Sequence, residues 1–321
     1  MTTFKEIRGT AVQSVSTDPS NPESGQLWYN NSIGVLKGYA LGAAAWSSGG
    51  NMGTARQSLA GAGTQTVGLA FGGTPDTATS LSATEEYDGS AWTAGGSLAT
   101  ARRYIAGCGT QTAGLAFGGF TPNSNATEEY DGSAWTGGGN MATARRILAG
   151  AGIQTAGLAA GGYTTTEVAN TEEYDGSAWT AGGNLGTARY GLAGCGTQTA
   201  GLVFGGTSTA ITAATEEYDG SAWTVGGNLN TAKSELAGAG TQTAGLKFGG
   251  QTPNSSATEQ YDGTSWTNTT SMATAKTKLG GTGTQTAGLA FGGNAGTGSV
   301  TTTEEYNGPA LVTKTITTST S

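Results

Sequence analysis

Histidine is missing from all 321 residues, cysteine occurs twice and proline six times. Without His there is no Ser-His-Asp or Cys-His catalytic arrangement, no imidazole-ligated zinc or copper site, and no side chain whose ordinary pKa lies near neutrality. Charge is scarce too. Asp, Glu, Lys and Arg make up 11% of the chain, against about 25% in ordinary soluble domains. With 14 basic against 22 acidic residues the net charge is -8, so a phosphate track would go unneutralised and nucleic acid is not an expected partner. No apolar run reaches the roughly 18 residues that suggest a bilayer span, and the opening MTTFKEIRGT lacks the apolar core of a secretory signal. Membrane insertion is therefore not expected either.

Glycine is what the chain has in excess, 58 residues of 321 where about 7% is usual, and the glycines recur at fixed places. Trp46, Trp92, Trp135, Trp179, Trp223 and Trp266 mark a repeat with spacings of 46, 43, 44, 44 and 43. Each unit holds a small-residue run (ARQSLAGAG), a TQT connection, an apolar run closing in two glycines (VGLAFGG), a loop, and ATEEYDGSAWTAGG. These segments are strand length, and none is long enough for a stable helix. Asp-Gly after the tyrosines at 87, 130, 174, 218 and 261 is a hairpin signal, because Gly accepts the positive φ of a tight turn. A lone Asp without oxygen-bearing neighbours at fixed spacing makes no calcium cage. Cys108 and Cys195 take the same place in two non-adjacent repeats where others carry Ala or Thr, a demand for a small buried side chain rather than a disulfide.

Four short strands in 43 to 46 residues is the size of one propeller blade. The Gly-Leu-Ala-Phe-Gly-Gly, Glu-Glu-Tyr-Asp-Gly and Ser-Ala-Trp segments, with a basic residue in the next unit, resemble the kelch family. The resemblance implies an all-β fold, a six-bladed kelch-like β-propeller over residues 43–311, and leaves function open, because kelch propellers serve as adhesins, adaptors and enzymes alike. The segment Ala43 to Ser48, carrying Trp46, is expected to supply the outer strand of the last blade, with Leu311 to Thr318 as the competing strand. Residues 312–321 are expected as a polar tail.

Residues needed in every wedge of a ring are expected to pack blade on blade, which covers the repeating Tyr and Trp. Adjacent carboxylates such as Glu85-Glu86 point to opposite faces of a strand and so are not a general acid and base. Arg56, Arg102, Arg145, Arg189, Lys233 and Lys276 recur opposite them, and one Glu per blade is expected to pair with each. Function is then sought in what varies. The stretches 74–83, 120–126, 163–170, 207–214, 251–257 and 294–302 differ in length and content, and they are expected to share a face with the connections between blades. On that face the non-repeating Arg103, Tyr104, Phe120, Arg146, Tyr163 and Tyr190 are the expected binding residues, since aromatic and Arg anchors dominate interface energy. The unrepeated acids, Asp76 and Glu167 among them, offer no facing pair, so no enzyme activity, metal or cofactor is expected.

Residues 1–42 do not repeat. QLWY and VLKGY read as a β-hairpin too short to be stable alone. GQLWYNNS and LKGY look similar to short N-terminal segments of phage tail-fibre and other virion structural proteins. That resemblance implies docking on other virion proteins through Trp28, Tyr29 and Tyr39, and exposure on the particle after assembly in a host cytoplasm. The expected function is a non-enzymatic bacteriophage appendage, a tail fibre or receptor-binding protein, recognising a host-surface glycan or protein. The alternatives are a capsid or tail decoration subunit and a secreted bacterial kelch lectin or adhesin; homo-oligomerisation stays open.

Overall fold

The computed structural model describes residues 12–22, 24–76 and 78–316, and among them there is no helix. There are seven four-stranded sheets, six of which form a propeller-like all-β repeat. Ala45–Gly308 is one compact unit, and the described residues on either side of it form a second.

In the larger unit each repeat becomes one sheet. The first runs Ala60–Gly63, Gly68–Phe71, Thr84–Tyr87 and Trp92–Gly95; the second Ala106–Thr110, Ala113–Phe117, Thr127–Tyr130 and Trp135–Gly137; the third Ala149–Ile153, Ala156–Ala160, Thr171–Tyr174 and Trp179–Ala181. The fourth runs Ala193–Thr197, Ala200–Phe204, Thr215–Tyr218 and Trp223–Val225; the fifth Ala237–Thr241, Ala244–Phe248, Thr258–Tyr261 and Trp266–Thr269. The sixth takes Gly280–Gly283, Ala287–Phe291 and Thr303–Asn307 from the end of the repeats and Ala45–Ser48 from their start, with Trp46 opposite Tyr306. All strand neighbours within these six sheets are antiparallel.

Burial explains the residue choice strand by strand. Second strands such as Gly-Leu-Ala-Phe lie between sheets and are buried on both faces, so they read as continuous apolar runs rather than alternating ones. First strands crowd against the neighbouring sheet. A Cβ added at Gly107 would lie 2.3 Å from Cζ of Phe71, which only glycine avoids. The pair Gly118-Gly119 turns the chain with φ of +66° and +106°, a region closed to most side chains.

Three side chains join each sheet to the one before it. Trp135 Nε1 donates to Thr84 Oγ1 at 2.9 Å while its ring meets Phe71 edge-on at 4.9 Å, and the Trp-to-Thr bond recurs six times. Tyr130 donates to Glu86 Oε1 at 2.5 Å, and the tyrosines at 87, 174, 218 and 261 do likewise with the preceding Glu. The Gln of each TQT segment, IQT in the third sheet, reaches back to two carbonyls, as Gln154 does to Gly114 at 3.1 Å and Tyr130 at 2.8 Å. Gln65 makes the same two bonds to Gly288 and Tyr306 of the sixth sheet.

The neighbouring carboxylates thus have separate work. Glu129 accepts from Tyr174 of the next sheet, whereas Glu128 pairs at 2.7 Å with the fully buried Arg102 of its own. Arg102 also donates to the carbonyls of Gly118 and Ala126, both at 2.8 Å, which offsets much of the cost of burying its charge. Arg56, Arg145 and Arg189 repeat the pairing, and so does Lys276 with Glu304 at 3.1 Å. Burial pushes the Arg145 guanidinium down to about 10, against the opposing pull of Glu172. The fifth sheet departs from expectation. Lys233 donates to the carbonyls of Thr252 and Pro253, and Glu259 is paired instead with Lys247 at 3.5 Å. Lys247 stands on the second strand where other sheets carry Ala or Val, so its ammonium reaches Glu259 directly across the ladder.

In the smaller unit Leu27–Asn30 and Val35–Leu41 form the hairpin, with Gln13–Val15 added parallel on one side and Leu311–Ile316 antiparallel on the other. The last of these corrects the expected polar tail. Residues 312–316 are strand, in register with residues 36–40, because Val312, Thr313, Thr315 and Ile316 are β-branched and suit a pleated surface. Residues 317–321, and residues 1–11 of the expected docking segment, lie outside the described residues. Asp18 gathers this unit, accepting from Lys37 Nζ at 2.5 Å, Asn30 Nδ2 at 2.8 Å and Trp28 Nε1 at 3.0 Å. Those bonds, Lys37 foremost, hold its carboxyl at about 2. Trp28 is fully buried, which corrects its expected docking role to packing. Tyr29 is 41% exposed and Tyr39 half-buried.

Candidate functional site

The residue after each buried Arg or Lys makes a two-residue bridge with the residue after the Gly pair: Arg103 with Phe120, Arg146 with Tyr163, Tyr190 with Thr207. The backbone bonds are short, Phe120 N to Arg103 O and Tyr163 N to Arg146 O both at 2.8 Å. A connection between repeats and a variable loop are thereby pinned together, and their side chains stand next to one another.

In the second to fourth sheets those side chains form a continuous ladder. The Arg103 and Arg146 guanidinium carbons lie 4.8 and 4.7 Å from the centroid of the Phe120 ring. Arg146 also lies 4.9 Å from the Tyr163 ring, and Tyr163 meets Tyr190 edge-on at 5.2 Å. All five are half-buried. Arg103 Nη1 donates to Ala78 O at 2.7 Å and Ser80 Oγ at 3.2 Å, and Arg146 Nη1 to Asn123 Oδ1 at 2.5 Å, so loop atoms aim both forks. Neither guanidinium is ion-paired among the described residues. The other three bridges are polar and uncharged, with Asn294 Nδ2 donating to Gln57 Oε1 and Gln251 Nε2 to Ser234 Oγ. Both guanidinium groups therefore stand on one side of this face.

Tyr104, the sixth expected binding residue, is not in the ladder. It belongs to a column one residue further on, Ser58, Tyr104, Ile147, Gly191, Glu235 and Lys278, every member of which has φ between +50° and +67°. Their backbones are linked head to tail: Tyr104 N to Ser58 O, Ile147 N to Tyr104 O, Gly191 N to Ile147 O, Glu235 N to Gly191 O, Lys278 N to Glu235 O, and Ser58 N to Lys278 O, at 2.7–3.0 Å. This column surrounds a cavity of about 90 Å³ floored by Leu and Ile side chains. A second cavity, of about 130 Å³, is lined by Gly, Ala, Thr and Cys of the first strands.

Sequence reading missed this column, although a signal was present: it is the place in the repeat where no residue type occurs twice. Trp28 aside, the remaining candidates lie where they can be reached. The Asp-Gly turns are tied up locally, since Asp88 Oδ1 accepts from Ser90 N, Ser90 Oγ and Ala91 N, each at 2.8 Å. Asp76 likewise caps its own loop through the amides of Ala78 and Thr79. Burial pushes the thiols of Cys108 and Cys195 up to about 12, far from nucleophilic. No protein-family model matches the chain, and no curated protein matches it significantly.

Proposed function

We propose that the six repeat sheets are the blades of a closed six-bladed kelch-like propeller, with Ala45–Ser48 as the closing strand, and that the chain is a non-enzymatic bacteriophage appendage. The ladder of Arg103, Phe120, Arg146, Tyr163 and Tyr190 is its receptor face and takes an anionic group of a host-surface glycan or protein. The observation that carries this reading is that the non-repeating Arg and aromatic residues of three sheets stack on one another. Scaffold residues are issued once per sheet; these are not, and two cations without carboxylate partners on an acidic protein favour an anion. Docking on other virion proteins through Tyr29 and Tyr39 completes the proposal.

The test compares wild type with a Phe120→Ala/Tyr163→Ala variant on immobilised bacterial polysaccharides, with and without uronic acids, and on whole bacteria. Salt-sensitive binding of wild type to acidic surfaces, lost in a variant that still melts cooperatively, is the expected result. Equal binding by both proteins would transfer the function to another face; no binding by either would favour a decoration subunit. Turnover of a polysaccharide would make the protein an enzyme.

A further inference from the structure

The cavity ringed by the left-handed column carries polar groups that the fold leaves unsatisfied. Ser58 is 6% exposed, the Glu235 side chain 10%, and neither Ser58 Oγ nor Glu235 Oε2 has a hydrogen-bond partner. Lys278 Nζ lies 3.7 Å from Glu235 Oε2, close enough to balance its charge and too far to donate to it, and 5.8 Å from the centroid of the Tyr104 ring. Non-glycine residues with positive φ are strained, a β-branched one such as Ile147 most of all. Five such residues hold this rim in place, and strain of this kind collects where side chains must be aimed.

The chemistry of an occupant follows from the groups it would meet. A cation would face Lys278 and an anion Glu235, so a net charge of either sign meets a like charge at short range. An apolar molecule would leave Ser58 Oγ and Glu235 Oε2 as orphaned as before. What fits is a neutral molecule with several hydroxyls and an apolar C–H face for Tyr104 and the aliphatic floor. The space of about 90 Å³ takes about three water molecules, so a sugar would enter it by one hydroxyl-bearing edge with the rest of the ring outside, against the rim.

We propose that this rim binds a single neutral sugar residue or polyol, whose hydroxyls donate to Glu235 Oε2, exchange bonds with Ser58 Oγ and accept from Lys278, while its C–H face lies on Tyr104. The site is separate from the cationic ladder and does not depend on it. Burial raises the Glu235 carboxyl above its usual range, with Lys278 opposing.

The test uses the full chain with glucose, galactose, mannose and sorbitol, and with glucuronate and glucosamine as charged counterparts, read by ligand-observed NMR and calorimetry. At least one neutral probe is expected to bind with a Kd in the millimolar range, about tenfold tighter than either charged probe. Glu235→Gln and Tyr104→Asn, the latter tolerant of the left-handed backbone, should each weaken binding about tenfold, whereas an Arg103→Ala/Arg146→Ala ladder variant should bind as wild type does. The ranking of neutral over charged probes is read on the unaltered protein, so it stands even if a variant does not fold. No binding of any neutral probe, equal binding of a charged one, or loss of binding in the ladder variant would overturn the proposal.

Discussion

Ala160 and Val203 pack in one cluster between the third and fourth sheets, and each departs from its repeat. Ala160 stands where the other five sheets have Phe71, Phe117, Phe204, Phe248 and Phe291, and Val203 where most have Ala. At the equivalent place between the first and second sheets Phe71 packs with Ala116. The branched Val thus fills part of the space the missing phenyl ring leaves. Val203→Ala alone is expected to cost about 2 kcal/mol by opening a cavity, and Ala160→Phe alone about 1–3 kcal/mol by overpacking. Together they should restore the common arrangement, with a total cost well below the sum. A double-mutant cycle by urea denaturation measures this coupling; simple additivity would mean that the two residues do not compensate.

Tyr306 is the one tyrosine of its column without a carboxylate acceptor. Its hydroxyl lies 2.8 Å from Thr269 Oγ1, because the fifth sheet carries Gln260 where the others carry the second Glu. The Gln260→Glu change is expected to rebuild the bond seen five times elsewhere. A hydrogen bond to a charged acceptor contributes about 1.5–3 kcal/mol; after loss of the long 3.4 Å bond from Gln260 to Gln285 O, about 1 kcal/mol of gain should remain. In a domain of this size that raises Tm by about 2–4 °C. An unchanged or lower Tm would show that the Tyr-to-Glu bonds do not contribute to stability.

These two exceptions show what could be read in the chain beforehand. Repetition exposed the strands, the packing role of Tyr and Trp, and the buried Arg-Glu pairs, since a contact that each sheet needs is written again in each repeat. The Gln of TQT was just as constant, yet it reads as part of a turn because its partners are backbone carbonyls, which leave no mark in sequence. Lys247 replaced Lys233 as the partner of Glu259 for a reason visible only in register. The ladder residues were legible as a set because they broke the repeat in three consecutive sheets. Tyr104 shares their non-repeating, aromatic character, yet one step along an irregular, left-handed backbone takes its side chain out of the ladder and onto the cavity rim. The pairing of residues 311–316 with residues 36–41 joins segments some 270 positions apart in sequence, and no periodicity connects them.

The tyrosine column also makes stability sensitive to alkali. Burial, and then the Glu acceptors, push Tyr87, Tyr130, Tyr174, Tyr218 and Tyr261 up to about 12, whereas in an unfolded chain tyrosine loses its proton near pH 10. Between these values the folded protein binds more protons than the unfolded one, so the stabilisation is complete below pH 10 and is lost as pH rises through 12. Ionising any one of the five would place a phenolate against the carboxylate it now donates to, at a boundary between two sheets. The expected outcome is a denaturation midpoint that declines above pH 10, with tyrosinate absorbance that stays low until the sheets separate and then rises together with the unfolding signal. Tyr29, Tyr39, Tyr104, Tyr163 and Tyr190 lie outside the column, so a background with Phe at those five positions isolates it. A column titrating near pH 10 in the folded protein would mean that the hydroxyls are open to solvent and that the sheets are joined by the Trp and Gln bonds alone.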